Sequence, residues 1–193
     1  TEPGAFGTFV GKLTLTIRDG EVVGDSYELL DVDPDKYPAD PQMAALIEQA
    51  KAPHREELER VMGYTSTPIY RYLTVETPMD HMITDAFRWK TGTQIALSNG
   101  FRYGNPVVPQ NDRPAPITMA NLWNWMPLNT KLKTGKIKGE VLHQWLENEV
   151  NNAFSPKPAE RFGGYLVRFS GIRMRFEPSL PKGQRITELL VDG

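Results

Sequence analysis

Between Gln94 and Gly104 the chain reads Gln-Ile-Ala-Leu-Ser-Asn-Gly-Phe-Arg-Tyr-Gly. Ile95 to Leu97 has the make-up of a short buried strand, and Asn99-Gly100 is a turn dipeptide that follows it directly. Arg102 comes next, flanked by Phe101 and Tyr103. A guanidinium on a tight loop at the end of an apolar strand is placed to grip an oxyanion through paired N–H donors. The same residues also describe a surface turn with a solvated arginine and two packing rings, because Asn-Gly pairs commonly do no more than join strands. On these residues alone both readings stand.

Other chemistry-bearing patterns are scarce. The 193 residues include no cysteine, which removes disulfides, thiolate catalysis and cysteine-ligated metals. The three histidines, His54, His81 and His143, are far apart and have no second ligand at metal-binding spacing. Neither a glycine-rich phosphate loop nor a Gly-x-Ser-x-Gly elbow occurs. With 22 basic against 24 acidic residues the net charge is −2, so the whole chain carries no nucleic-acid footprint. The apolar runs are too short to span a bilayer, and no signal peptide is visible. The length suits one good core, or one domain with part of another.

The elements that must position the loop can be read in order. Residues 9 to 30 alternate as a β-hairpin about Asp19-Gly20, and a lone hairpin asks for further strands beside it. Asp31 to Pro41 is a stiff polar linker. Asp40-Pro41 opens a helix running to about Met62 and ended by Gly63, with Pro53 kinking or splitting it. Met43, Leu46, Ile47 and Ala50 form one apolar stripe, and Leu58, Val61 and Met62 another. Tyr70 to Val75 reads as a strand carrying Arg71. Thr77-Pro78 caps a helix to about Lys90, with Met79, Met82, Ile83, Ala86 and Phe87 on its inner face, Asp85 and Arg88 as solvated charges, and Gly92 after it.

Beyond the loop, residues 105 to 116 are too polar and proline-rich for a core. Thr118 caps a short helix, Met119 to about Trp125, whose two tryptophans suit a core plug or an aromatic wall. Asn129 to Lys138 reads as an edge strand whose lysines discourage pairing, or as a docking patch for an acidic partner. Gly139 to Asn151 is a helix with Val141, Leu142, Trp145 and Leu146 inward and Glu147 and Glu149 outward. Tyr165 to Phe169, Ile172 to Phe176 and Ile186 to Val191 complete the strands. The chain stops on the turn pair Asp192-Gly193, as though cut.

This order of elements resembles the 5′-nucleotidase C-terminal domain. The resemblance is carried by Thr84-Asp85-Ala86-Phe87-Arg88, by Thr91 to Gly100 with Arg102, and by Ile117-Thr118. Met126-Pro127-Leu128-Asn129, Gly135 to Gly139 and Leu142 to Glu147 continue it. Within that superfamily, Asn99 to Gly104, Asn121 to Asn129 and Phe162 to Gly171 are similar to the thiosulfohydrolases (SoxB) of bacterial thiosulfate oxidation.

The implied fold is mixed α+β: a terminal hairpin and linker of a preceding metallophosphoesterase domain (1–38), an interdomain helix (39–64) and a substrate domain (65–193) truncated at its C-terminus. The resemblance further implies a periplasmic hydrolase with two manganese ions on the N-terminal domain and no metal on this chain. Its substrate would be thiosulfate carried on a cysteine of a SoxYZ-type carrier, with no nucleic-acid or membrane partner. This chain alone would be inactive. By position, Arg102 would bind the anionic group and Asn99 would orient the loop or donate to substrate. Gly100, Phe101, Tyr103, Arg71, Leu128 and Asn129 would complete the pocket. Nucleotidases place an aromatic that stacks on adenine where this chain has Pro127-Leu128, which argues against a nucleoside. A nucleotidase or nucleotide phosphodiesterase domain and a non-catalytic carrier-docking module are the alternatives.

Overall fold

The computed structural model describes residues 3–4, 7–99, 104–163 and 165–191. The chain divides into two compact units, Thr1–Arg55 and Glu56–Gly193.

In the first unit β1 (Phe9–Arg18) and β2 (Glu21–Asp31) pair antiparallel, with Leu13 opposite Tyr27 and a register shift between Thr16 and Ile17. Asp19 and Gly20 take φ of 53° and 82°. That is the left-handed two-residue turn whose twist matches the flanking strands, so the hairpin stands as the sequence predicts. Helix α1 (Pro41–Lys51) is capped as expected, the Asp40 carboxylate accepting from Met43 N at 2.8 Å. Its stripe of Met43, Leu46 and Ile47 is exposed.

Pro53 does split the helix: Ala52–His54 is a 3-10 turn, and α2 (Arg55–Glu59), at the boundary of the two units, ends early. The expected continuation to Met62 is wrong. Val61, Met62 and Gly63 belong to strand β3 (Val61–Thr65), because β5 (Ala115–Thr118) offers it a ladder, with Tyr64 opposite Pro116 and Thr65 opposite Ala115. A helix-like apolar spacing at a boundary gives way when a tertiary partner satisfies the backbone in another form.

In the second unit helix α3 (Pro78–Thr91) runs from its Thr77 cap to Gly92, whose φ of 67° closes it as a left-handed C-terminal residue. Strands β4 (Ala96–Ser98) and β6 (Arg168–Ser170) form a second antiparallel pair, and β7 (Ile172–Phe176) with β8 (Ile186–Val191) a third. Helix α4 (Met119–Trp125) begins in a capping box, Thr118 and Asn121 exchanging side-chain and backbone bonds. Helix α5 (Gly139–Phe154) is the longest.

Two apolar cores result. One gathers Ile69, Met79, Ile83, Val107, Ile117 and Trp125; the other gathers Leu142, Leu146, Val150, Leu166, Val167 and Ile186. Each such side chain contributes about 1.5–3 kcal/mol by leaving water. Of the two tryptophans, Trp125 is the plug, 1% exposed, whereas Trp123 is 41% exposed.

Several expectations fail for definable reasons. Tyr70 to Val75 is not a strand: the carbonyls of Leu73, Thr74 and Val75 are taken by the Arg168 guanidinium instead of a neighbouring strand. Tyr165 to Phe169 shortens to β6. The loop after residue 104 is not wholly outside the core, since Val107 bridges to Ile69 and is buried. Residues 129–138 are extended and exposed but unpaired among the described residues. Ala86 and Val141, both expected inward, are exposed. Glu147 points inward, not outward; its carboxylate accepts from Gly183 N at 2.9 Å and Ile186 N at 2.6 Å, and so terminates the loop that leads into β8.

Asp85 and Arg88 are not merely solvated. Both bond to Ser170 Oγ, Arg88 Nη1 at 3.5 Å, and so join α3 to β6. Directly after Ser170, Gly171 takes φ of 82°, and a Cβ there would strike the Gln94 carbonyl and the Arg88 guanidinium. The terminal turn Asp192-Gly193 lies outside the described residues.

At the end of α5, Glu160 accepts from Ser155 Oγ at 2.8 Å, Lys157 Nζ at 3.1 Å and Asn151 Nδ2 at 3.3 Å. These bonds, Ser155's first, hold its carboxyl down from 4.5 to about 2. A carboxyl whose pKa falls on folding adds stability that is complete above its unfolded value and is lost as pH falls through its folded one. The Glu160 contribution is therefore expected to disappear between pH 4.5 and about 2. Glu160→Gln should flatten the pH dependence of thermal melting in that window, and an unchanged acid slope would contradict it.

Candidate functional site

A trough of about 1210 Å³ opens in the second unit. Residues from Thr91 to Asn99 form one side, Met126 to Leu128 and the extended run Thr130–Ile137 form the other, and Arg71, Trp125 and Leu142 also line it. The predicted anion loop begins on its lip, since Asn99 is the last described residue before Gly100, Phe101, Arg102 and Tyr103, which lie outside the described residues.

What the structure does describe is how both ends of that loop are held. At its start the Asn99 carbonyl accepts from Arg71 Nη2 at 2.9 Å and from Ser98 Oγ at 3.2 Å. At its end the Gly104 carbonyl accepts from the Tyr72 hydroxyl at 2.9 Å. Asn105 N donates to Asn124 Oδ1 at 3.0 Å, and Trp125 Nε1 donates to the Asn105 carbonyl at 2.9 Å. Gly104 has φ of 86°, and a Cβ on it would press on the Trp125 ring and the Asn124 backbone, so glycine is required for the approach. Burial pushes the Tyr72 phenol above 10.0, which keeps it protonated and a donor at physiological pH.

Arg71, expected to touch substrate, is committed elsewhere. It is 3% exposed; Nε ion-pairs with Asp80 Oδ1 at 2.6 Å, Nη1 donates to the Trp125 carbonyl at 3.3 Å, and Nη2 reaches Ser98 Oγ at 3.3 Å besides Asn99. Four such bonds use four of the five guanidinium N–H groups. Asp80, 0% exposed, also faces Arg168 Nε at 2.9 Å and accepts from Thr77 Oγ1 at 2.6 Å. Sequence reasoning overlooked both Asp80 and Arg168. The available signal was a polar residue at position 80 on the inward side of α3, between Met79 and Ile83.

Of the remaining candidates, Leu128 lines the trough and is 67% exposed, whereas Asn129 is exposed and is not part of its described lining. The described lining holds two aromatic residues, half-buried Phe87 and buried Trp125. Among the described residues no group of three or more His, Asp or Glu is arranged to hold a metal ion. No helix there is long and apolar enough to cross a membrane.

The second unit is thus a mixed α and β fold that holds Asn99 and Gly104, the two ends of the loop, beside a trough. The family model for the 5′-nucleotidase C-terminal domain matches residues 61–193, and the chain belongs to that family. Among solved structures, SoxB sulfate thiohydrolase of Thermus thermophilus superposes with a TM-score of 0.85 at 22% identity, over 97% of this chain and 34% of that one. A 5′-nucleotidase precursor from the same species gives 0.78 at 27% identity, over 96% and 36%. The endonuclease YhcR of Bacillus subtilis strain 168 is 24% identical over 154 residues, 79% of this chain and 12% of that protein. The chain thus spans about a third of the solved relatives and a smaller share of the curated one.

Proposed function

We propose that this chain is the substrate-gripping part of a two-domain, SoxB-like thiosulfohydrolase. The hydrolysed group is a sulfonate on a carrier cysteine, released as sulfate. In this reading Arg102, between the pinned ends Asn99 and Gly104, binds the sulfonate oxygens, and Gly100 lets the backbone approach closely. Phe101 and Tyr103 line a narrow passage for the carrier's peptide arm, and Leu128 forms an aliphatic wall. Arg71 and Asn99 support the loop from below. A preceding metallophosphoesterase domain holds two manganese ions, which when bound supply an activated water. The residues described here do not form that centre, and the isolated chain is inactive. The carrier is of the SoxYZ type and the compartment is the periplasm.

The observation that carries this choice is the run Met126-Pro127-Leu128 on the trough wall, which stands where the nucleotidases place an aromatic that stacks on adenine. A nucleobase needs a flat partner on which to stack, and these three side chains offer none. The second reading is a 5′-nucleotidase, and its support is the 27% identity to the nucleotidase precursor over 96% of this chain.

One assay separates them. The full-length protein, loaded with manganese, is given a peptide bearing a cysteine S-thiosulfonate and, separately, adenosine monophosphate. Sulfate release from the peptide with no phosphate release from the nucleotide is the expected result. The reverse outcome replaces the first reading with the second.

A further inference from the structure

Arg71 and Tyr72 are adjacent in sequence, lie outside any helix or strand, and each binds a different end of the same loop. Arg71 Nη2 takes the Asn99 carbonyl at 2.9 Å, and the Tyr72 hydroxyl takes the Gly104 carbonyl at 2.9 Å. We propose that this dipeptide is a bracket that sets the separation of Asn99 and Gly104, the two ends of the loop, so that Arg71 and Tyr72 are positioning residues for the anion-binding arginine rather than ligands of the substrate. The inference rests on the reading of Arg102 as that arginine.

The bracket is rigid because its base is buried. Arg71 is anchored through Asp80 to the first turn of α3, and the same Asp80 faces Arg168, whose other nitrogens hold the Leu73, Thr74 and Val75 carbonyls. The residues immediately following the bracket are thereby fixed. A further link closes the frame: Arg71 Nη1 donates to the Trp125 carbonyl while Trp125 Nε1 donates to the Asn105 carbonyl. Both ends of the loop are thus referred to one dipeptide, and the far end also to the Trp125 indole. A substrate-binding arginine gains most when its loop is held in the bound geometry beforehand, since a small displacement forfeits much of its contribution.

Glu147 supplies the control. It is buried in the same unit, and its described partners are Gly183 N and Ile186 N, not the bracket or the loop. The experiment compares Tyr72→Phe, Arg71→Lys and Glu147→Gln in the full-length enzyme. Thermal melting and kcat/KM are measured on the thiosulfonate peptide or, if only that is turned over, on adenosine monophosphate, with each variant also made in an Arg102→Ala background. Tyr72→Phe loses a single hydrogen bond and is expected to lower kcat/KM about five- to ten-fold with little change in melting. Arg71→Lys is expected to lower it about thirty-fold or more, because an ammonium cannot reproduce the fork. Glu147→Gln should lower the melting temperature while leaving kcat/KM within about two-fold, as for a residue with no partner in common with the bracket.

The Tyr72 effect should vanish once Arg102 is alanine, a coupling that general destabilisation would not produce. If Arg102→Ala itself leaves kcat/KM unchanged, the loop is not the substrate grip, and the reading and the bracket fall together. If Arg102→Ala is damaging while Tyr72→Phe keeps the parental kcat/KM, or keeps its full effect beside Arg102→Ala, the bracket alone is wrong.

Discussion

Asp80→Asn is expected to cost the folded protein about 3–5 kcal/mol, the range for removing one member of a buried ionic group. Asp80 is 0% exposed and is the carboxylate shared by two guanidiniums, Arg71 and Arg168, themselves 3% and 2% exposed. Asparagine keeps the shape and one acceptor oxygen but removes the charge. Two cations would then face each other in the interior with carbonyl dipoles as their main compensation, and the Thr77 hydroxyl at the cap of α3 would lose a charged partner. Urea unfolding followed by tryptophan fluorescence measures the loss, because Trp125 sits beside Arg71. A cost below about 1 kcal/mol would mean that the two arginines are balanced by the carbonyls alone.

The second large effect is on turnover. Arg102→Ala in the full-length enzyme is expected to lower kcat by about 10²–10³, or roughly 3–4 kcal/mol, as for the removal of another preorganised oxyanion donor. Arg102 itself lies outside the described residues, but it is three residues beyond Asn99 and two before Gly104, and both of those ends are held. Arg102→Lys should recover only part of the rate, since a point charge cannot make the paired contacts of a guanidinium to two oxygens. Single-turnover measurement on the thiosulfonate peptide separates the chemical step from binding, and an unaltered rate would remove Arg102 from the site.

The parts of the fold that were legible in the sequence are those whose causes lie within a few residues. Asp19-Gly20 fixes its hairpin because left-handed φ values are needed there and these residues tolerate them. Asp40, Thr77 and Thr118 cap their helices through bonds to the third residue on. The short strand that leads to Asn99 was visible for the same reason, since its apolar residues are neighbours in the chain.

What the sequence by itself determined is therefore most of the element order and the family pattern. What only the tertiary structure decided is what each polar residue is for. Arg168 takes the carbonyls of residues 73–75 from 93 to 95 positions away, converting an expected strand into an irregular anchored segment. Val61 and Gly63 are in a strand because β5 paired with them, and Glu147 turned inward because the 183–186 backbone needed an acceptor. Arg71, which the resemblance implied as a substrate ligand, spends four of its donors on Asp80, Trp125, Ser98 and Asn99. The physical reason is common to all of these. A buried charge or backbone carbonyl must find a partner wherever the fold brings one, and that distance in space is not written in the local spacing of the chain.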